Sequence, residues 1–284
     1  MNSRNHTLRR LESAIRSRLG LRTPWVTRTL IGRQLTVRDG TFTETPDYDD
    51  AWLYACAQHS KIAFDVGANV GQSAMLMMLS QGVKRVVLVD ANSDALAVAA
   101  DNLIRNQFSI SCQFVRGFAG EHSDATIDFW TVGTGAAGSI FKGHAHTAAR
   151  AGSVRSVPTI SLDKLSELYG VTPDFVKVDV EGAEHDVLLG SKRFASHRRT
   201  RFLVEMHSPP ELPMERNAAL VLEWAASLGY SAWYLSEAVK LDDPQRIARR
   251  GRCHLLLQPA DWPFPEWLVG IKQSASLPTS QRAP

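Results

Sequence analysis

From residue 61 onward, short runs rich in Val, Ile, Leu and Phe alternate with stretches of helical periodicity. That alternation limits the chain to one kind of fold. Residues 61–66, 86–90, 112–116, 174–180 and 202–206 read as strands. Residues 72–80, 94–106, 161–169, 182–190 and 215–228 read as helices, with Asn92 or Ser93 capping the second and Ser161 the third. Two last strands are expected at 230–235 and 252–258. Apolar strands must be covered on both faces, so the expected class is α/β, a doubly wound and mostly parallel sheet. The alternation breaks once, before the fourth strand. There 126–132 and 154–160 read as an inserted hairpin, and the Gly/Ala/Ser-rich residues 133–153 between them read as a lid with Ser139 and His144 facing the pocket. Trp130 and Trp233 read as core.

In such sheets ligands sit at the carboxyl ends of the strands. The first strand ends Asp65-Val-Gly-Ala-Asn-Val-Gly71. Gly67 permits a sharp turn and close approach of a ligand to the backbone, and Gly71 opens the next helix. The second strand ends in Asp90, placed to accept both hydroxyls of a ribose. The glycines run G-x-x-x-G, not the dinucleotide pattern G-x-G-x-x-G. Asp65 would repel a pyrophosphate but suits an ammonium group. S-adenosylmethionine carries a ribose, an amino-acid end and a sulfonium, and no phosphate, so it matches this layout.

Three stretches carry a family resemblance: Phe64-Asp-Val-Gly-Ala-Asn-Val-Gly-Gln72, then Asp174-Phe-Val-Lys-Val-Asp-Val-Glu-Gly-Ala-Glu184 with Val187-Leu-Leu-Gly190, and Phe202-Leu-Val-Glu-Met-His207. Thr159-Ile-Ser-Leu-Asp163 adds to them. With these the sequence resembles class I methyltransferases, and within them the FkbM family, from about residue 48 to about 258. The resemblance implies the Rossmann-like class I methyltransferase fold with a seven-stranded sheet. It also implies S-adenosyl-L-methionine as cofactor and a hydroxyl on a small molecule or sugar as acceptor. Asp65, Gly67, Asn69, Gly71 and Asp90 would take the cofactor-binding roles. The sequence departs from the family where the second strand ends Val-Asp-Ala rather than in glutamate and proline.

Side chains alternate along a strand, so Lys177 and Asp179 share a face, which Glu181 continues; Glu205 and His207 are likewise in phase. In the methyltransferase topology the two strands are neighbours, which gathers Asp179, Glu181, Glu205 and His207 as candidate catalytic groups. An alcohol needs a base before it attacks a sulfonium methyl. His207 is the preferred base because its ordinary pKa lies near neutrality, with Asp179 or Glu205 as alternates. Lys177 reads as a structural partner for a carboxylate. Asp179, Glu205 and His207 would also suit a metal. The base reading is preferred because the chain runs from His207 to Pro209 and Pro210 without a third carboxylate, and no metal is expected. His144-Ala-His146 has no third ligand nearby in sequence.

Composition bounds the rest. The 284 residues are 44% hydrophobic and 21% charged, which excludes a disordered chain. Cys56, Cys112 and Cys253 lie far apart, against a disulfide framework. No run spans a membrane, and no apolar block follows the N-terminal arginines as in a signal peptide, so a cytoplasmic location is expected. Residues 1–38 hold nine arginines and one acid, Glu12, while the rest of the chain is acidic on balance. The acidic body weighs against a nucleic-acid partner. Leu8, Leu11, Ile15 and Leu19 mark a basic amphipathic helix that packs on the body or touches a membrane surface. Arginines at 198–201 and 246–252 read as solvated. Expected boundaries are a basic lead-in over 1–47, the catalytic domain over 48–258 and a partly frayed tail over 259–284. A non-catalytic nucleoside-binding scaffold and a nicotinamide-dependent reductase are the rival readings; the polar cluster opposes the first, Asp65 and the missing glycine the second.

Overall fold

The computed structural model of the chain describes residues 23–43, 45, 47–131, 138–141, 143 and 145–279. The helix expected at 8–19 and His144 of the expected lid lie outside them. The chain begins with a hairpin, β1 (Trp25–Leu30) and β2 (Arg33–Arg38), then α1 (Asp50–Gln58), β3 (Ile62–Val66), α2 (Gln72–Leu79), β4 (Arg85–Asp90), α3 (Ser93–Arg105) and β5 (Cys112–Arg116). An insertion follows: β6 (Phe118–Ala119), β7 (Thr126–Trp130), α4 (His146–Arg150) and β8 (Val154–Ile160). The series resumes with α5 (Leu162–Tyr169), β9 (Phe175–Val178), α6 (Glu184–Leu189), α7 (Lys192–Ala195) and β10 (Arg201–Met206). It ends with α8 (Met214–Ser227), β11 (Tyr230–Tyr234), β12 (Val239–Lys240), α9 (Pro244–Ala248) and β13 (Cys253–Pro259).

The central sheet runs β12-β11-β13-β10-β9-β3-β4-β5. It has eight strands where seven were expected, because the short edge strand β12 pairs with β11 through Trp233 and Tyr234. Strands β10, β9, β3, β4 and β5 are mutually parallel, and β13 lies antiparallel between β10 and β11. The insertion is an antiparallel β7–β8 pair, extended by β6, in a sheet of its own. Alternate residues face opposite sides of the sheet, which explains the double winding. Ala63, Val86, Leu88, Phe175, Leu203 and Leu256 pack under α1, α2 and α3. Phe64, Val87, Val89, Val176, Val178, Phe202 and Val204 pack under α5, α6 and α8. Asn92 caps α3 by accepting from the Asp94 and Ala95 amides, and the Ser161 hydroxyl caps α5. No helix among the described residues is long and apolar enough to cross a membrane.

Both flanks are more integrated than their composition indicates. In the lead-in, Leu30, Ile31, Leu35 and Val37 are buried in the core under α3. Two asparagines on that helix act as a surrogate strand for β2. Asn106 accepts from the Thr36 amide at 3.0 Å and donates to the Thr36 carbonyl at 2.8 Å. Asn102, fully buried, accepts from the Arg38 amide at 2.8 Å and donates to the Val70 carbonyl at 3.1 Å. The Arg38 guanidinium bonds Asp101 and lies over Trp25. In the tail, Leu268 is buried, Trp267 stacks on His59, and the Trp52 indole donates to the Ile271 carbonyl. The residues described there are docked against α1 rather than frayed.

Asn102→Ala leaves the Arg38 amide and Val70 carbonyl without their partner. It is expected to lower unfolding free energy by about 2–4 kcal/mol. Ile104→Ala, at an exposed position of the same helix, should change it by no more than about 0.5 kcal/mol. Urea unfolding of both variants makes the comparison.

Candidate active site

Strand register lines up a polar row at the carboxyl end of the sheet. Asp65 on β3 is opposite Lys177 on β9, and Glu205 on β10 is opposite His254 on β13. All four share the face toward α1, and Asp49, just before that helix, closes the row. The Lys177 ammonium is buried and donates to Asp179 Oδ2 at 3.1 Å. Burial alone would lower its pKa, but Asp179, Asp65, Asp49 and Glu205 together hold it above the ordinary lysine value. Burial pushes the pKa of Asp49 up. Burial also works on Glu205, yet His254, its Nε2 3.7 Å away, and the hydrogen bond from Arg252 hold it well below the usual carboxylate range.

His207 follows β10 and is almost fully buried. Its Nδ1 lies 2.8 Å from Glu184 Oε1, at the start of α6. Its Nε2 faces Glu181 Oε2 at 3.5 Å, Glu205 Oε1 at 3.8 Å and Asp179 Oδ1 at 3.9 Å. Burial pulls the imidazolium pKa down, but the Glu184 hydrogen bond and the charges of Glu184, Asp179 and Glu181 outweigh it, so His207 is pushed up to about 9. The backbone that presents these groups is bent sharply after β9. Glu181 has φ 56° and Gly182 φ 108°, where an added Cβ would lie 2.7 Å from Pro209 Cγ.

A cavity of about 660 Å³, counting its open mouth, adjoins this cluster. Asp90 and Asn92 lie at one part of its wall, and Asp179 and Glu181 at another. Val66, Val89, Phe118, Ala119 and Phe129 supply apolar surface between. Its three acids are not matched by any lysine or arginine among the described lining residues. Asp90 accepts from the Asn69 amide at Oδ2 and the Asn92 amide at Oδ1, both at 2.7 Å; burial still pushes its pKa up to about 6.

The other expected cofactor residues divide. Gly67 and Asn69 line the cavity; Asp65 and Gly71 do not. At Gly67, with φ 80°, an added Cβ would lie 1.8 Å from the Asp179 carbonyl oxygen. The residue must be glycine so that β3 and the end of β9 can meet, a stronger demand than room for a ligand. Gly71 serves the close packing of α2 on Ala99. Asp65 is fully buried beneath the loop, bonded at Oδ2 by the Ser73 hydroxyl, with Oδ1 lacking a hydrogen-bond partner among the described residues.

Several site residues were not legible in the sequence. Glu184 lies inside the Asp174–Glu184 stretch, but nothing local shows that it meets His207. Asn217 on α8 donates to Glu184 Oε2 at 2.7 Å and to the His207 carbonyl at 2.9 Å. His254 is brought in by pairing across the sheet, and Asp49 by the helix it precedes. Arg252, expected to be solvated, is exposed and also bonds Glu205. Arg201, from the other arginine cluster, lies over Trp262. Ser139, expected to face the pocket, is fully buried and donates to the Glu181 carbonyl, and residues 146–150 are helical rather than structureless. Asp179, Glu205 and His207 offer ligand atoms within 4.8 Å of one another. Lys177 and Arg252 already engage the two carboxylates, so the arrangement is a charge-paired network that a cation would have to break open.

The Methyltransferase FkbM domain profile matches residues 65–232, more than half of the chain. The chain belongs to the FkbM methyltransferase family. No curated protein matches it. Among solved structures, it is similar to methyltransferase FkbM from Methylobacillus flagellatus KT, at 17% identity and a TM-score of 0.46 over 70% of this chain. The chain spans 44% of the length of that protein. It is also similar to M. jannaschii TYW2 in complex with AdoMet, at 11% identity and a TM-score of 0.43 over 83% of this chain and 84% of the other. An O-methyltransferase from Bacillus cereus in complex with SAH gives 13% and 0.41 over 75% and 83%. The FkbM match begins at Asp65 and takes in Asp90, Asp179, Glu181, Glu184, Glu205 and His207, so the cavity wall falls within it, while Asp49 and His254 of the polar row lie outside.

Lys177→Met would strand several buried carboxylates without their shared cation. A loss of about 3–5 kcal/mol in unfolding free energy is expected at pH 7. The loss should shrink as pH falls and the carboxylates take up protons. Urea titrations at pH 7 and pH 5 measure both effects.

Proposed function

We propose that this FkbM-family enzyme transfers the methyl group of S-adenosylmethionine to a hydroxyl oxygen of a small molecule or saccharide. The observation that carries the reading is the acid-lined cavity beside His207. A wall with Asp90, Asp179 and Glu181 and no described cationic side chain disfavours a phosphate-bearing nucleotide and suits a ligand that is itself cationic. Asp90, its oxygens oriented by the Asn69 and Asn92 amides, is suited to accept the ribose hydroxyls. When bound, S-adenosylmethionine supplies a methyl group already activated by the sulfonium.

The chain's own work is then to bind, orient and remove one proton. Asp179 and Glu181 face the cavity and form the boundary between donor and acceptor. His207 takes the acceptor's hydroxyl proton at Nε2 as the oxygen attacks, and the product ether is left neutral. With its pKa near 9, His207 is largely protonated at neutral pH, so the base form grows as pH rises. Glu205, paired with Arg252 and His254, is too weak a base for this task.

Calorimetric titration should show S-adenosylmethionine binding and no NADH binding. Asp90→Ala should weaken that affinity at least about tenfold, roughly 1.4 kcal/mol. Preferential binding of NADH, or full affinity in Asp90→Ala, would remove the cofactor assignment. With an acceptor in hand, kcat/KM should climb with pH and level off above about 9. A chelator should leave turnover unchanged; turnover lost to a chelator and restored by a divalent ion would replace the base reading.

A further inference from the structure

The base assigned to His207 is held by a group that touches neither the cavity nor the acceptor side. Glu184 has no exposed surface, and its two oxygens are fully committed. Oε1 meets His207 Nδ1 at 2.8 Å and accepts from the Gly182 amide at 3.0 Å, while Oε2 accepts from the Asn217 amide at 2.7 Å. Asn217, equally buried, also donates to the His207 carbonyl at 2.9 Å, so one side chain fixes both the carboxylate and the backbone that carries the imidazole. A carboxylate only accepts hydrogen bonds, so the ring nitrogen facing it must bear the proton.

We propose that Glu184, locked by Asn217, is the positioning residue of the methyl-transfer reaction: it holds the His207 proton on Nδ1, so that Nε2 is the basic nitrogen turned toward Glu181, Asp179 and Glu205. This rests on the reading of His207 as base and deepens it. The logic is that of any buried carboxylate behind a histidine, which sets tautomer and orientation and stabilises the imidazolium formed when the ring takes a proton. The groups facing His207 come from every element around it: Glu184 from α6, Asn217 from α8, and Asp179 and Glu181 from the end of β9. Glu205 from β10 completes the set, with His254, Arg252 and Lys177 beyond it. Among the described residues it is Glu184 that meets Nδ1, so its replacement is the one expected to change the tautomer. A glutamine there presents a donor in place of one carboxylate oxygen, while Asn217 and the Gly182 amide still require acceptors.

The test uses the full chain labelled with 15N-histidine, the His207 signal being assigned by its loss in His207→Gln. In the unmodified protein, His207 should titrate near pH 9, and its neutral form should carry the proton on Nδ1; a neutral form protonated on Nε2 overturns the proposal without any variant at Glu184. In Glu184→Gln, the midpoint should fall by at least about one unit toward the ordinary value of roughly 6.5. The plateau of kcat/KM should fall about a hundredfold or more, with its pH midpoint moving down in step. Affinity for S-adenosylmethionine should stay within about twofold, since Glu184 does not line the cavity. An unchanged His207 midpoint in a folded Glu184→Gln variant overturns the proposal. Normal turnover in His207→Gln would remove the base reading, while the tautomer and midpoint would still report whether Glu184 holds the ring.

Discussion

One buried ammonium makes the carboxyl end of this sheet possible. Lys177 sits in the second-to-last position of β9, opposite Asp65, and faces Asp179, Asp65, Asp49 and Glu205 from the centre of the row. Like charges packed at this density would otherwise drive each other to take up protons or force the strands apart. With Lys177 in the middle, and Arg252 and His254 on Glu205, the protein keeps several acids at the sheet end and leaves Asp179 and Glu181 to face the cavity.

The remaining features are built around that row. Gly67 allows β3 to lie against the Asp179 carbonyl, which brings the Gly loop and the acidic end of β9 into one wall. The left-handed residues Glu181 and Gly182 turn the chain so that α6 begins beside His207 instead of running on past it. Helix α8 then supplies Asn217, and the Glu184–His207 pair is closed off from solvent. The two polar systems have opposite characters. The Lys177 row is a charge-compensated foundation on the α1 face. The Glu184–His207–Asn217 set, toward α6 and α8, is a buried hydrogen-bonded network that leaves His207 Nε2 facing Glu181, Glu205 and Asp179.

Family membership and the acid-lined cavity bear on different questions. The profile match over residues 65–232 makes the chain a member of the FkbM methyltransferase family. The cavity bears on what the site would accept, because a wall with carboxylates and no described lysine or arginine favours a cationic ligand over a phosphorylated one. The flanking segments join the same body. The β1–β2 hairpin is held through Asn102 and Asn106 on α3, the helix that follows Asp90, so the lead-in braces the element that orients the expected ribose contact.

Much of this was legible in the chain itself, for a physical reason: strand period, helix period and glycine placement are local properties. They sufficed to read the doubly wound sheet, the inserted hairpin and the Gly67 loop, and strand phase paired Glu205 with His207. The family stretches added the expectation of methyl transfer. What the sequence could not carry was any relation set by pairing across the sheet or between helices. That Arg252 is bound to Glu205, that His254 and Asp49 join the row, that Gly71 packs on a helix, and that β12 makes an eighth strand all depend on which strands and helices become neighbours. The partnership of Glu184 with His207 and Asn217, at sequence separations of 23 and 33 residues, follows only once α6 and α8 are packed on the same face. Local sequence determined which side chains were available at each strand end; tertiary packing decided which were charge-paired, which were buried as braces, and which were hydrogen-bonded to one another.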